Sequence, residues 1–309
     1  MGGKIVVAGV ASLTVNMGVA EFPVSYTSVQ SPGWLETGVG GAGQHVASIL
    51  RGLGDDVTLC TVVGRDPAGS LVRDNLRATG LDGPSVVDGP GSTYSVVLVD
   101  PDGRRMVWPH LTLVNTVEYP EGRFVEAARD ADLAVLSAVD FVRGLLPSAV
   151  LRGVPVAVDL NVIADVNEQH YRPWLDVADI VFCSHERLPC SPSEWIARIF
   201  ARSPGCLIAA VGCGKDGCQL GLRDGRLVSA KPVTPLGVRN TSTAGDSLFA
   251  AFLHSWVATG NPVEALADAV VFAGWRIGHR FPHPVMLTES DLAELRVRHP
   301  VGVSVSRWD

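Results

Sequence analysis

The six cysteines (Cys60, Cys183, Cys190, Cys206, Cys213, Cys218) include no Cys-x-x-Cys pair, so their spacing offers neither a zinc site nor a disulfide framework. They read as buried thiols in a reducing cytosol. The sequence also lacks any run of Lys or Arg, and its net charge is -7. Phosphate backbones are bound through clustered positive charge, so this balance argues against a nucleic-acid partner and leaves a small metabolite as the expected one. No apolar run is long enough to span a bilayer, so no membrane partner is expected either. What the chain does have is apolar mass: 47% hydrophobic against 18% charged residues over 309 positions can bury a large core. That length admits two average domains or one α/β domain with an appendage. The N-terminal stretch KIVVAGVASLTVNMGVA has the single Lys and small-residue end of a signal peptide. Ile5 to Ala8 followed by Gly9 is equally a first buried parallel strand, and with the cysteine usage this favours the strand and a cytoplasmic location.

The most informative stretch runs from Val238 to Trp256, VRNTSTAGDSLFAAFLHSW. Leu248, Phe249, Phe252, Leu253 and Trp256 fall on one face of a helix, and Thr-Ala-Gly-Asp sits where that helix begins. A helix start rich in small residues presents unpaired backbone N–H groups and a positive dipole end, which attract anions, phosphate above all. Asp246 would repel a phosphate there, yet it suits a base that takes a proton from a hydroxyl about to attack that phosphate. For an isolated Ala-Gly-Asp, an ordinary first-turn acid that stabilises the helix is the simpler reading.

NTSTAGD at 240–246 resembles the signature Asp-Thr-x-Gly-Ala-Gly-Asp of the ribokinase-like (PfkB-type) carbohydrate kinases. The resemblance makes Asp246 the catalytic base and Thr243, Ala244 and Gly245 the anion hole. Asn240 stands where the family has Asp, and Thr243 replaces Gly or Ala. A β-branched residue has restricted freedom and narrows such a hole. Further along the same resemblance, Gly40, Gly41, Gly43 and Ala47 match the motif Gly-Gly-x-Gly-x-Asn-x-Ala, with His45 at the Asn and Ala42 at a position that is Lys in some members. Ser12 and Thr14 stand where relatives carry Asn-x-Asp for substrate hydroxyls, and a neutral hydroxyl is a weaker partner than a carboxylate. Gly64, Asp66 and Gly69 match Gly-x-Asp-x-x-Gly.

A competing reading exists for the first glycines. Gly38, Gly40 and Gly43 satisfy the dinucleotide fingerprint, with Asp66 about 20 residues further on. That fingerprint needs a buried strand immediately before it, and SPGWLETGV is a poor one.

From about 120 to 215, the runs DLAVLSAV, VPVAVDLN, DIVFCS and CLIAAVG alternate with helices around 122–130, 143–152 and 193–202, which means a parallel sheet covered on both faces. Asp159 and Asn161 resemble the family's Asp-x-Asn near substrate and metal, a structural hydrogen-bonding role being the alternative. In CSHERLP, His185 and Leu188 occupy the family's Asn-x-x-Glu, leaving Glu186 as the nearest carboxylate for a metal. VGCGKDGC resembles the nucleotide loop through Gly214 and Gly217, with Gly212 in place of Thr and Lys215 adding charge; a tight turn before a hairpin is the plainer account. PVEALADAVVFAGWRIGHR makes a last long helix, where Ala269, Ala273 and Gly274 are candidates to pack against adenine.

Taken in order, these motifs imply a ribokinase-like three-layer α/β fold: a single domain over 1–309 with a central mostly parallel sheet, and a small β-sheet lid from about 12–37 and 92–112. They imply ATP-dependent phosphorylation of a hydroxymethyl group of a sugar or nucleoside-like small molecule, with Mg2+ on the phosphates. Monovalent-cation activation is disfavoured by Asn240. Exposed strand edges of the lid point to pairing with a second copy as a homodimer. The alternatives are a catalytically impaired ligand-binding protein on the kinase fold and a nucleotide-dependent oxidoreductase resting on Gly38, Gly40 and Gly43.

Overall fold

The computed structural model describes residues 2–280 and 286–308. Among the described residues, fourteen strands and ten α-helices follow in chain order. They are β1 (Lys4–Ala8), β2 (Ser12–Gly18), β3 (Leu35–Gly40), α1 (Ala42–Leu53), β4 (Asp56–Gly64), α2 (Pro67–Ala78), β5 (Val86–Gly89), β6 (Thr93–Val99) and β7 (Arg105–His110). Next come α3 (Glu121–Ala127), β8 (Leu133–Leu136), α4 (Asp140–Arg143), α5 (Leu146–Arg152), β9 (Val156–Val162), α6 (Arg172–Leu175), β10 (Ile180–Ser184), α7 (Pro192–Arg202) and β11 (Ile208–Gly212). The chain continues with β12 (Cys218–Leu222), β13 (Arg226–Ala230), α8 (Ala244–Thr259), α9 (Pro262–Arg276), α10 (Glu289–Arg298) and β14 (Val303–Arg307).

Ten strands form one sheet in the order β14-β13-β12-β11-β10-β9-β8-β1-β4-β5. From β11 to β5 every pairing is parallel, while β12, β13 and β14 add an antiparallel edge. Alternation along each parallel strand divides the core into two layers. Ile5 and Val7 pack with α1, α8 and α9; Val6 and Ala8 pack with Phe124, Trp174 and Trp195 on the opposite face. Two-sided burial explains why these strands read as continuous apolar runs rather than alternating ones. Five of the six cysteines are buried in these layers and Cys190 is half-buried; all six are free thiols. Burial pushes the Cys60, Cys213 and Cys206 thiols up to about 11, 11 and 12, so they stay protonated and serve as packing groups.

The remaining four strands make a separate sheet in the order β3-β2-β6-β7. It is built from 12–18, 35–40, 93–99 and 105–110. On β2, Ser12, Thr14, Asn16 and Gly18 are buried while Leu13, Val15 and Met17 are half-exposed. The buried face of this strand is therefore the polar one, the reverse of an ordinary half-buried strand.

Several expectations need correction. Gly38 and Gly40 lie in β3, which pairs antiparallel with β2 in the small sheet, so no buried parallel strand precedes the glycines and the dinucleotide fingerprint fails. Asp66, its supposed ribose acceptor, caps α2 instead: it accepts hydrogen bonds from Gly69 N at 2.8 Å and from Ser92 N at 2.9 Å. The helix expected at 143–152 is two short ones, α4 and α5, with Pro147 in the first turn of the second, where its missing N–H costs nothing. The helix read as the last is followed by α10 and the edge strand β14.

Candidate active site

Open parallel sheets place their ligands at the carboxyl ends of the strands. Here those ends bring together Gly9 after β1, Asp159 and Asn161 at the end of β9, and His185 and Glu186 after β10. Gly214 after β11 and the start of α8 complete the group. Gly41 and Gly43 let α1 start close to this edge. A Cβ on Gly41 (φ 99°) would sit 2.5 Å from Val10 O, and one on Gly43 would sit 2.7 Å from Gly9 Cα. Both glycines are thus required by the approach of helix to strand.

The chain enters α8 through a turn held from three sides. Thr241 Oγ1 donates to Gly103 O at 2.7 Å, in the turn between β6 and β7 of the small sheet. Asn240 Oδ1 accepts from Ser242 N at 2.8 Å, and Asn240 Nδ2 donates to Arg280 O at 2.8 Å. Thr243 then takes a left-handed conformation (φ 64°, ψ 8°) and provides no side-chain cap. For a β-branched residue this is a strained geometry. Its effect is to leave the amides of Gly245 and Asp246 at the open end of the helix, where the dipole favours an anion, while Ala244 N donates to Thr241 O at 3.3 Å. Ser242 Oγ, Thr243 Oγ1 and Ser247 Oγ are buried with no hydrogen-bond partner among the described residues. Three orphaned hydroxyls around a helix start fit a multiply charged oxyanion such as a phosphate.

Asp246 is half-buried in the first turn of α8. Burial, and then the neighbouring Asp159 carboxylate, push its pKa up to about 7, with Arg105 acting in the opposite direction. Asp159 is pushed up to about 6 by burial, relieved in part by the Asn161 N–H, which donates to its Oδ1 at 2.8 Å. Asn161 also adopts positive φ at 55°. A carboxyl group balanced near neutrality at the open end of a helix can accept a proton from a hydroxyl at ordinary pH.

The small sheet supplies the facing wall. Ser12 Oγ and Thr14 Oγ1 lie 3.2 Å apart, both buried. A Cβ on Gly40 would sit 2.7 Å from Thr14 Oγ1 and 3.1 Å from His45 Nε2. The expected substrate residues Ser12, Thr14, Gly40, Gly41 and His45 therefore converge on one patch, while Asn240 lies in the turn before α8. Arg105, in β7, reaches Glu186 at 3.4 Å across the space between sheet and body. Sequence reasoning missed Arg105, because its charge in DGRRM is indistinguishable from hairpin polarity. It also left Asp159 as one of two even alternatives; only the fold shows it next to Asp246.

On the remaining side, His185 Nδ1 lies 2.9 Å from Gly212 O, and a Cβ on Gly214 would sit 3.2 Å from His185 Cε1. Lys215 is exposed one residue on, and Gly217 (φ 90°) closes the turn against Ala230 and Pro232. Leu188 is half-buried and packs against the edge of the hydrophobic layer at the position of the expected carboxylate, so it offers no oxygen there. Glu186 faces Arg105 rather than a set of further acids, and among the described residues no group of three or more His, Cys, Asp and Glu could hold a metal by itself. Ala273 is half-buried against the core of α9, and Gly274 is where the 233–235 segment crosses that helix, so its role is packing.

The family profile described as pfkB family carbohydrate kinase matches residues 3–283. The chain is 29% identical over 237 residues to the ATP-dependent ribose-1-phosphate kinase of Halopiger xanaduensis, covering 74% of this chain and 77% of that protein. It is 26% identical over 278 residues to the acarbose 7(IV)-phosphotransferase of Actinoplanes sp., covering 87% and 90% respectively. Among solved structures, a microbiome-derived acarbose kinase superposes with a TM-score of 0.84 at 24% identity, covering 96% of this chain and 100% of that one. This last likeness establishes the ribokinase-type architecture of a large mostly parallel sheet with a small second sheet.

Proposed function

The chain belongs to the pfkB family of carbohydrate kinases, and from that premise we propose that it transfers the terminal phosphoryl group of ATP to a hydroxymethyl group of a sugar or sugar-bearing small molecule, with Asp246 as general base. The observation that carries the proposal is Asp246 itself. It is a half-buried carboxyl, pushed up to about 7, in the first turn of a helix whose start carries three buried hydroxyls without partners among the described residues. In the proposed reaction, Asp246 takes the proton of the acceptor hydroxyl as its oxygen attacks phosphorus. The amides of Gly245 and Asp246, rather than the expected set that includes the Ala244 amide bonded to Thr241 O, hold the oxygens of the group in transit, where charge develops. Arg105 adds a cation from the small sheet, which acts as a lid that excludes water and so protects ATP from hydrolysis.

Magnesium binds mainly to the phosphates of its nucleotide and needs only one or two protein carboxylates. Asp159 and Glu186 are those that border the space, so Glu186 would have to leave Arg105 to serve. His185, Gly214, Gly217 and Lys215 form the side on which the nucleotide would lie, with Ala273 at its outer limit. Monovalent-cation activation is not expected: the Asn240 amide already ties the turn before α8 to Arg280 through a neutral hydrogen bond. A cytosolic setting is in keeping with the six free thiols. The outward face of the small sheet exposes Leu35, Tyr94, Met106 and Trp108, which supports pairing with a second copy through the lid.

The Halopiger relative is named for ribose-1-phosphate and the Actinoplanes relative for acarbose. Neutral Ser12 and Thr14 in place of charged acceptors favour an acceptor unlike free ribose. The test is ADP formation from Mg-ATP with a panel of sugars, polyols and nucleosides, comparing wild type with Asp246→Ala. Turnover with one acceptor that the variant loses by about 100-fold or more is the expected result. ATP binding without turnover across the panel would instead favour an impaired ligand-binding protein.

A further inference from the structure

Two arginines stand side by side where the small sheet turns into β7, and the structure uses them differently. Arg104 shapes the turn between β6 and β7: its Nε donates to the buried Asp100 carboxylate at 2.6 Å, and its backbone N donates to the other oxygen of that carboxylate at 2.8 Å. Arg105, the first residue of β7, instead reaches across to the body of the protein, where its Nη1 lies 3.4 Å from Glu186 Oε1. Among the described residues this is its one salt bridge. The contact is long for a charge-assisted hydrogen bond, which closes at about 2.7–2.9 Å. Its two side chains are 29% and 48% exposed, so water competes for both and the pair contributes little to stability. It also leaves most of the five guanidinium donors unused. Such a pair is easily exchanged for a better one.

The backbone that carries Arg105 is nonetheless fixed. Gly103 O, in the same turn, accepts from Thr241 Oγ1 at 2.7 Å and from Thr241 N at 3.4 Å. Thr241 lies in the segment that enters α8, so the turn is tied to the start of the helix that carries Asp246. Arg105 can therefore change partner by rotating its side chain, without movement of the sheet. Its charge already acts on Asp246, against the burial that pushes that carboxyl up. Glu186 holds it from the other side, on the short turn after β10, where Glu186 N donates to Ser184 Oγ at 3.3 Å.

We propose that Glu186 is a positioning residue that holds Arg105 away from the base in the nucleotide-free protein, and that the triphosphate of the incoming nucleotide draws Arg105 off Glu186 onto its own oxygens. A polyphosphate offers several anionic oxygens where Glu186 engages one donor, and a guanidinium meets such oxygens with paired donors. Holding Arg105 apart matters because Asp246 is the other anion on which it acts. An Arg105–Asp246 ion pair would occupy the base before any acceptor arrived. Glu186 prevents that pairing until a stronger anion is present, and the exchange then delivers the cation to the group in transit. The inference rests on the phosphotransfer reading above.

The experiment is a double-mutant cycle on nucleotide binding: calorimetric titration of Mg-ATP, without acceptor, into wild type, Glu186→Gln, Arg105→Met and the double variant. Arg105→Met should weaken ATP binding roughly 10-fold, the loss of one hydrogen bond to a charged group. Glu186→Gln removes the pair that ATP must break. Its effect on affinity should therefore be more favourable by about threefold when Arg105 is present than in the Arg105→Met background. Taking this difference cancels any contribution that Glu186 makes independently of Arg105, whether by repelling phosphate or by meeting the metal. The double variant should stay as weak as Arg105→Met to within a few fold. Ligand-free melting temperatures should lie within about 2 °C of wild type, because an exposed pair contributes little. An equal effect of Glu186→Gln in both backgrounds, wild-type affinity in Arg105→Met, or a large drop in melting temperature in either single variant would each overturn the exchange. Absence of ATP binding by wild type would remove the phosphotransfer reading and this inference with it, whereas binding without coupling removes the exchange alone.

Discussion

Helix α8 meets a carboxylate near each of its ends, and the two are treated in opposite ways. Toward its C-terminal half, His254 is 5% exposed and its Nδ1 lies 2.9 Å from Asp55 Oδ2. The other oxygen of Asp55 accepts from Gly3 N at 2.9 Å. Every strong acceptor of that carboxylate is used, and the bonds tie residues from three distant parts of the sequence at the amino edge of the sheet. At the N-terminal end, Asp246 makes no side-chain hydrogen bond among the described residues and sits beside a second carboxylate, Asp159. The first arrangement is what a buried charge needs in order to be structural. The second is costly in the free protein and is completed only by a reacting hydroxyl and a phosphoryl group. Stability is thus concentrated at one edge of the sheet and unfinished chemistry at the other.

The strongest test of this contrast exchanges the two acids for Ala. Asp246→Ala should lower kcat/KM by about 100-fold or more while leaving the urea midpoint close to wild type. Asp55→Ala should destabilise the protein by about 3 kcal/mol, because it strands a buried partner, while kcat/KM below the unfolding transition stays within about threefold of wild type. Equal activity losses in both variants would erase the distinction. A smaller effect follows from pH. With Asp246 pushed up to about 7, kcat/KM should rise with pH through about 7 as the carboxyl ionises. Since Arg105 acts to lower that value, Arg105→Met should move the rising limb to higher pH. A limb that stays in place in this variant would mean Arg105 does not reach the base.

Much of the architecture was legible because two-sided burial leaves a coarse mark. The runs that became β8, β9, β10 and β11 are apolar along their whole length, and α1 and α7 keep strong apolar faces. The C-terminal segment left little mark. In α10 only Leu292 is buried, and β14 is an edge strand exposed over most of its length, so ESDLAELRVR and VSVSR look like any charged surface. The site was half legible for a similar reason. Ala-Gly-Asp is contiguous, and its meaning survives in one dimension. The Asp159–Asp246 proximity and the reach of Arg105 to Glu186 depend on parts of the chain far apart in sequence, which residue types alone do not bring together. Leu188 shows the converse: a sequence position aligned with a carboxylate is a half-buried apolar residue packed against the hydrophobic layer.

The smallest predicted effect concerns Thr243, the residue that aims the amides at the start of α8. Its φ of 64° is strained for a β-branched side chain, and its hydroxyl is buried without a partner among the described residues. Glycine adopts this conformation freely but loses more entropy on folding, so Thr243→Gly should stabilise the protein by roughly 1 kcal/mol or less, read as a shift in urea midpoint at constant slope. Activity separates two roles for the hydroxyl. If Thr243 Oγ1 bonds the phosphoryl group in transit, the stabilised variant should lose kcat by roughly 10-fold with the acceptor KM unchanged. Unchanged or higher kcat would mean that the backbone amides suffice, and that the strain at this end of α8 serves no step of the transfer.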